Sequence, residues 1–436
     1  MTRSRLLWRR SATALGTYGS AAFGIAGTLL AANLLEPTRF GRFALVVGTT
    51  ALFQLLLDLT SEEALVKYGF RYSARGDWGR FRRLLMLAVG FKTFGGVISG
   101  LIVLGLAPFA DSVYGTHGLE TPLLVAAALP VLQAGEGLAA SVLVLRSRYD
   151  VRAAFLVLST GLRLVAIALL ATRGVTATIA GLVVAQVFTT AAIGVVALAA
   201  MRRWPHGASS TLGDDRREIL RFVLQSSIGT GIVSLRGWIA PLLLGVVGNV
   251  NEVGYFRAAQ APQQGFAVLS SPVRLILLTE QTRDWEHGRP EAVFAGLRRY
   301  IGGASALMAV ALIPFWLLMP ALMRLVLPKY TPATDAARVI LFAAAVQLVF
   351  GWTKSFPVSI GRPNLRILAH SIETVVLIPL LVVLGARWGP TGAAVSVLVS
   401  TLAFAATWTV LVLRLRNQPL PQAPVAPPAP TEVTVV

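Results

Sequence analysis

From residue 11 to residue 413 the chain alternates between apolar runs of roughly 20 residues and short polar breaks. A helix crossing a hydrocarbon core of about 30 Å needs roughly 20 mostly apolar residues. The pattern predicts twelve such helices, over 11–35, 43–59, 84–107, 121–145, 152–172, 175–200, 219–248, 254–279, 301–327, 336–356, 365–385 and 391–413. The expected fold is an all-α polytopic membrane protein, about twelve transmembrane helices in two six-helix bundles. The connections on one side are short, the longest running from Pro108 to Glu120. Three on the other side are longer, and the middle one, "MRRWPHGASSTLGDDRREIL", carries Pro, Gly and Ser at the chain's midpoint and reads as a linker. The expected organisation is a basic arm (1–10), a first lobe (11–200), the linker (201–218), a second lobe (219–415) and a proline-rich, extended tail (416–436).

The second half repeats landmarks of the first at a nearly constant offset of almost half the chain. In each half an apolar run ends at a short acidic turn followed by Gly-x-Phe: Gly41-Arg42-Phe43-Ala44 in the first, Gly254-Tyr255-Phe256-Arg257-Ala258 in the second. Arg82-Arg83 is answered by Arg298-Arg299, and Gly174 by Gly389. Six spans per half is an even number, so the repeat is parallel, about an axis along the membrane normal. Paired bundles of this kind hold substrate between them. The glycine is expected to permit a tight turn into the helix, and the aromatic after it to anchor at the interface.

Composition excludes a soluble multidomain protein: 55% of residues are hydrophobic and 14% charged. The net charge of +19 would suggest nucleic acid on a soluble surface. Here most Lys and Arg lie in the connections of one side, the positive-inside pattern, which places both termini in the cytoplasm and assigns the charge to anionic headgroups of a cell membrane. No nucleic-acid partner is expected. Arg3, Arg5, Arg9 and Arg10 resemble a leader's basic region, but the apolar run after them is some 25 residues long, so a retained first span is expected. With no cysteine and four scattered histidines, neither a metal site nor a cofactor is expected. The absence of a Walker motif argues against direct drive by ATP.

Candidate chemistry lies in polar residues within spans. An Arg or Lys at a helix centre costs about 2.5–3.5 kcal/mol on insertion scales and calls for an explanation. Arg163 lies midway along "FLVLSTGLRLVAIALL", one turn from Ser159 and Thr160. Arg236 shares a helix face with Gln225 and Gly229. Lys92 and Arg274 lie nearer span ends, where snorkelling is an alternative. Gln260, Gln264, Ser271 and Arg274 form a stripe on the eighth span. Arginine suits a pyrophosphate because its planar fork makes paired hydrogen bonds to phosphate oxygens and stays charged. An arginine paired with a carboxylate to hold helices together would account for Arg163 or Arg236 equally well, and interhelical bonding for the glutamine stripe. Asp58, Glu136, His370 and Glu373 are the candidates for ion coupling, although Arg366, His370 and Glu373 also fit a local charge ladder. Tyr18, Tyr255, Trp238 and Trp352 fit either sugar stacking or an interface belt.

Several stretches resemble the polysaccharide-exporter, O-antigen-type oligosaccharide flippases of the multidrug/oligosaccharidyl-lipid/polysaccharide (MOP) superfamily: "LEPTRFGRFALV", "DLTSEEALVKYGFRYSARGD", "LLGVVGNVNEVGYFRAAQ", "PALMRLVLPKYTPATDAARVILFAAA" and "RWGPTGAAVSVLVS". The resemblance covers residues 10 to 415. It implies a V-shaped pair of six-helix bundles in the cytoplasmic membrane of a bacterium or archaeon, a transporter and not an enzyme. Its substrate would be a polyprenyl-pyrophosphate-linked oligosaccharide, moved to the outer leaflet for cell-surface polysaccharide such as lipopolysaccharide O-antigen. The implied partners are this lipid-linked oligosaccharide, the bilayer, and a glycan polymerase or glycosyltransferases of the same pathway. Twelve spans, where peptidoglycan-precursor flippases of the superfamily have fourteen, argue against a peptidoglycan role. The alternatives are a multidrug or organic-cation antiporter, an integral-membrane glycan polymerase or ligase, and an envelope scaffold. An antiporter would need acidic cavity residues, and an enzyme an acid–base or metal-binding loop outside the bilayer.

Overall fold

A computed structural model describes residues 3–57, 61–202, 204–205, 210–213, 215–269, 277, 280–285, 287–362 and 364–417. The first half comprises α1 (Arg3–Leu34), α2 (Pro37–Leu57), α3 (Ser61–Ala74), α4 (Trp78–Leu106), α5 (Glu120–Ala126), α6 (Leu129–Leu145), α7 (Tyr149–Leu170) and α8 (Val175–Met201). The second comprises α9 (Asp215–Val247), α10 (Val250–Ala259), α11 (Ala261–Leu269), α12 (Pro290–Val326), α13 (Thr334–Val349) and α14 (Asn364–Arg416). Among the described residues nine helices are long and apolar enough to cross a membrane, and bent α9 makes a tenth. With 53 residues, α14 holds both the eleventh and twelfth predicted spans, broken at Gly389 (φ 54°, ψ −129°). Its repeat counterpart Gly174 also has a positive φ, 113°, between α7 and α8. The eighth predicted span corresponds to α10 and α11, interrupted at Gln260; of its remaining residues only Leu277 is among the described ones, and the tail from 418 lies outside them.

Local chemistry sets the helix limits. Pro37 opens α2, where its missing N–H costs nothing. A capping box opens α10: Asn249 Oδ1 accepts from the Glu252 N–H at 3.0 Å, and Glu252 Oε2 accepts from the Asn249 N–H at 3.3 Å. Helix α9 bends by 49° between Ile232 and Gly237; Pro241 follows one turn later, where its ring crowds the Gly237 carbonyl. In α12, Pro320 leaves the Trp316 carbonyl without a helical donor, and Arg338 Nε of α13 supplies one at 3.3 Å.

The apolar core is distributed unequally between the two membrane faces. On the face opposite the long basic connections, one cluster joins the halves: Leu35, Phe40 and Val46 pack in it with Val253, Phe256, Tyr330 and Leu381. On the basic face the core divides in two, one part around Tyr68, Phe81 and Leu143 and the other around Trp352, Phe356 and Trp408. The halves therefore share one core at one face, and toward the other face their cores are separate, with α9 crossing between them. Ile219 and Val223 of α9 pack in the first-half basic-face core, while Ala240 and Leu244 lie in the shared core, so α9 links the two regions.

The halves meet at their repeated landmark. A Cβ on Gly41 would stand 1.9 Å from the Val250 carbonyl oxygen, and one on Gly254 would stand 2.3 Å from that of Pro37. Pro37 and Val250 are separated by the same interval as the two glycines, so the contacts are reciprocal, as a two-fold axis requires. This corrects the expected role of the motif. Both glycines are helical, with no positive φ, and serve a close crossing of α2 and α10. Phe256 is fully buried in the shared core, not anchored at the interface.

Contacts between the halves close the face opposite the basic connections. Tyr330 is fully buried; its hydroxyl donates to the Leu35 carbonyl at 3.3 Å, and Phe40 and Tyr255 meet its ring edge to face. Asn33 Nδ2 donates to the Val326 carbonyl at 2.9 Å, and Lys329 Nζ to the Asn33 carbonyl at 3.1 Å.

Candidate functional site

Two arginines, one from each half, face a common space. Arg163 of α7 and Arg257, in the last turn of α10, line a cavity of about 330 Å³, together with Phe43, Thr160 and Trp238. The Arg257 guanidinium stacks 4.8 Å above the Trp238 ring, and its Nη1 donates to Gln260 Oε1 at 2.9 Å. No carboxylate pairs with Arg257 among the described residues. Aromatic stacking and an amide acceptor hold the cation in place while its charge remains uncompensated.

Arg163 is held differently. Its Nη2 donates to the Gln186 side-chain oxygen. The Gln186 amide nitrogen donates to Glu136 Oε2 at 2.5 Å and to Thr190 Oγ1 at 3.0 Å, and Thr190 donates to the Leu132 carbonyl at 3.0 Å. Gln186 is fully buried. Its oxygen faces the cation and its nitrogen the anion, the one orientation that satisfies both. Arg163 thus meets a carboxylate through one intervening amide, across α7, α8 and α6.

Arg257 also lines a second cavity, of about 270 Å³, with Gln260, Gln263, Gln264, Gln347 and Ser400. Gln263 Nε2 donates to Gln347 Oε1 at 2.9 Å, and Gln347 Nε2 to Thr401 Oγ1 at 3.4 Å. Gln260 and Gln264 of the stripe thus form a polar wall beside Arg257, while the interhelical bond comes from Gln263, which the stripe does not include.

The other sequence candidates lie apart from this space. Lys92 is buried, with Nζ 2.7 Å from Glu62 Oε1, so it does not snorkel. Gly137 leaves room for that carboxylate, because a Cβ there would stand 2.0 Å from Glu62 Oε1. His370 Nδ1 lies 3.0 Å from Glu373 Oε2, both buried, with the His370 ring stacked on Phe404; the pair lines neither cavity. Gln225 lines a separate, open cavity of about 920 Å³ on the basic face. Asp58, Ser271 and Arg274 lie outside the described residues, as does the Arg236 side chain. Trp238 stands in the central cavity, whereas Trp352 is a core residue against Trp408.

Arg257 and Gln186 are the residues that the sequence candidates omit. Arg257 lies close after the turn Asn249-Val250-Asn251-Glu252, where an arginine reads as interfacial. The signal available was its helical spacing to Gln260, Gln263 and Gln264, one and two turns on. Gln186 is one neutral amide in an apolar run, and only the charges on two other helices reveal its importance.

On the basic face, α3 is tied to the start of α9. The Tyr68 hydroxyl donates to Glu218 Oε1 at 3.0 Å and the Tyr72 hydroxyl to Asp215 Oδ2 at 2.8 Å. Arg71 and Arg80 approach the same two carboxylates at 3.4 and 3.5 Å. Burial, and next the bond to Glu218, push the Tyr68 phenol up to about 12.

The profile of the polysaccharide biosynthesis protein family matches residues 10–272. The chain belongs to this family. No curated protein matches it at a significant level. Among solved structures it is similar to the lipid II flippase MurJ in an inward closed conformation, with a TM-score of 0.73 at 12% identity, over 93% of this chain and 88% of that one. An inward-facing multidrug resistance MATE transporter of the MOP superfamily gives 0.72 at 15% identity, over 94% and 99% of the two chains. An outward-facing MATE transporter gives 0.63 at 17% identity, over 93% and 94%. This member of the polysaccharide biosynthesis family thus has the MOP fold in a multi-pass membrane protein.

Proposed function

We propose that the protein is a flippase for a polyprenyl-pyrophosphate-linked oligosaccharide. It would work by alternating exposure of the central cavity, carrying the headgroup from the cytoplasmic to the outer leaflet for cell-surface polysaccharide assembly. The observation that carries this reading is the pair Arg163 and Arg257, one from each half, lining one cavity. A pyrophosphate held between them gives each half a grip on the same anion, with charge-assisted bonds that a neutral cavity lacks. Trp238 and the glutamine wall offer stacking and hydrogen bonds suited to sugars, and the lipid tail stays in the bilayer. In this reading the basic face is cytoplasmic, and the contacts around Tyr330 shut the outer side. An organic-cation antiporter is less well supported, because an uncompensated arginine repels cationic substrates.

The test is the leaflet distribution of lipid-linked glycan in cells lacking the protein, complemented by wild type, Arg257→Gln or Arg163→Gln. Accumulation on the cytoplasmic leaflet, relieved by wild type and not by Arg257→Gln, is the expected result. Normal distribution without the protein, in cells shown to have no second flippase, would remove the reading.

A further inference from the structure

Helix α9 begins with both acids and arginines. Asp215 and Glu218 turn toward α3, where Tyr72, Arg80, Tyr68 and Arg71 engage them, and Phe222 packs edge to face on Tyr68. Arg217 and Arg221 line the open cavity of about 920 Å³ on the basic face, with Gln225 one turn deeper, and Arg216 reaches it from the helix edge, where it also borders a small pocket beside Ser61 and Leu84. None of these three guanidinium groups makes a hydrogen bond or an ion pair with another described residue. Basic residues serving only to orient the chain need not converge on one cavity while the acids of the same helix are engaged elsewhere. Three guanidinium groups lining one cavity offer forked donors to an anion of several oxygens.

From this arrangement we propose that Arg216, Arg217 and Arg221 form a loading site, separate from Arg163 and Arg257, that takes up the pyrophosphate of the lipid-linked substrate before it enters the central cavity. The inference rests on the flippase reading for its substrate, and on geometry for the anion site. The site favours a pyrophosphate over a phosphodiester, since three forked donors match the greater number of oxygens and the greater charge of a pyrophosphate. Ordinary anionic phospholipids are then weak competitors. Loading sets how much substrate is needed for half-maximal flipping, and the central arginines set the maximal rate.

The experiment uses the full chain in phosphatidylcholine nanodiscs and proteoliposomes. Binding of farnesyl pyrophosphate is titrated against wild type, the triple variant Arg216→Gln/Arg217→Gln/Arg221→Gln, and Arg257→Gln, with phosphatidylglycerol as competitor. Flipping of a polyprenyl-pyrophosphate glycan is followed as a function of its concentration. The triple variant is expected to bind farnesyl pyrophosphate about tenfold more weakly or worse. Its half-saturating concentration should rise similarly at unchanged maximal rate, and lysine at all three positions should restore part of the affinity. For Arg257→Gln the maximal rate should fall instead. Unchanged binding and half-saturation in the triple variant would overturn the loading site and leave the flippase reading standing. Equal competition by phosphatidylglycerol would overturn it too, making the arginines a general contact with anionic lipid. If wild type flips nothing, yet binding depends on the three arginines and resists phosphatidylglycerol, the pyrophosphate site stands and the flippase reading falls.

Discussion

The Thr38 hydroxyl donates to Asn251 Oδ1 at 2.5 Å, and the two residues are 213 positions apart, the offset of the internal repeat. Each occupies the other's place in its own half, so the bond lies beside the pseudo-two-fold axis. Any motion that opens the face opposite the basic connections must part this pair. The sequence contains no cysteine, so Thr38→Cys with Asn251→Cys introduces a single crosslinkable pair. Oxidation is expected to join the two positions and stop transport, and reduction to restore it. Full transport with the crosslink intact would show that the halves do not separate here.

Lys92 and Glu62 form a buried pair at 2.7 Å, with Glu62 about one-third exposed. Removing one partner leaves a charge in a poor environment. Lys92→Met should lower stability by about 2–3 kcal/mol, discounted from fully buried pairs for the solvent at Glu62. Lys92→Met with Glu62→Leu should recover much of the loss. Thermal unfolding in detergent decides, and equal losses for the single and double variants would contradict the pairing.

Gln186 holds Arg163 without lining the cavity that Arg163 faces. Gln186→Leu removes an amide that bonds a cation and a carboxylate together, and each bond to a charged group is worth about 1.5–3 kcal/mol. Transport should fall about tenfold, with a loss of thermal stability. Glu136→Gln should be milder, because Gln186 can still bond a neutral amide there. Equal and complete losses in both variants would make the carboxylate's charge the essential feature.

The Tyr68 phenol, pushed up to about 12, gives the α3–α9 contact a pH limit. Its folded value lies above that of an unfolded tyrosine, about 10. The contribution is therefore fully present below pH 10 and is lost as pH rises through about 12. The phenolate absorbance of wild type should contain a late-titrating component that Tyr68→Phe removes or reduces. A late component unchanged by the substitution would place Tyr68 in a more exposed site.

Sequence reasoning recovers what depends on apolar length and on repetition. The many-span helical fold, the placement of Gly174 and Gly389 at breaks between helices, and the position of Arg163 midway along a helix all follow from patterns along one dimension. The meaning of Gly41 and Gly254 does not, because the carbonyl that constrains each lies in the opposite half of the chain. Lys92 looks like a snorkelling residue until α3 folds back to bring Glu62 beside it. Arg257 illustrates the same limit: its depth follows from the crossing of α2 and α10, and nothing within its own helix announces it.

The reciprocal contact of Gly41 with Val250 and of Gly254 with Pro37 bears on the origin of the chain. A surface that meets its own counterpart across a two-fold axis needs only one sequence to be complementary to itself. A single six-span ancestor bearing this patch would have paired with an identical twin, and gene fusion would have preserved the joint. Once fused, each copy was free to change alone: one half keeps Arg163 behind Gln186, the other sets Arg257 on Trp238. Two arginines held in different ways beside one cavity are an arrangement that identical subunits do not have.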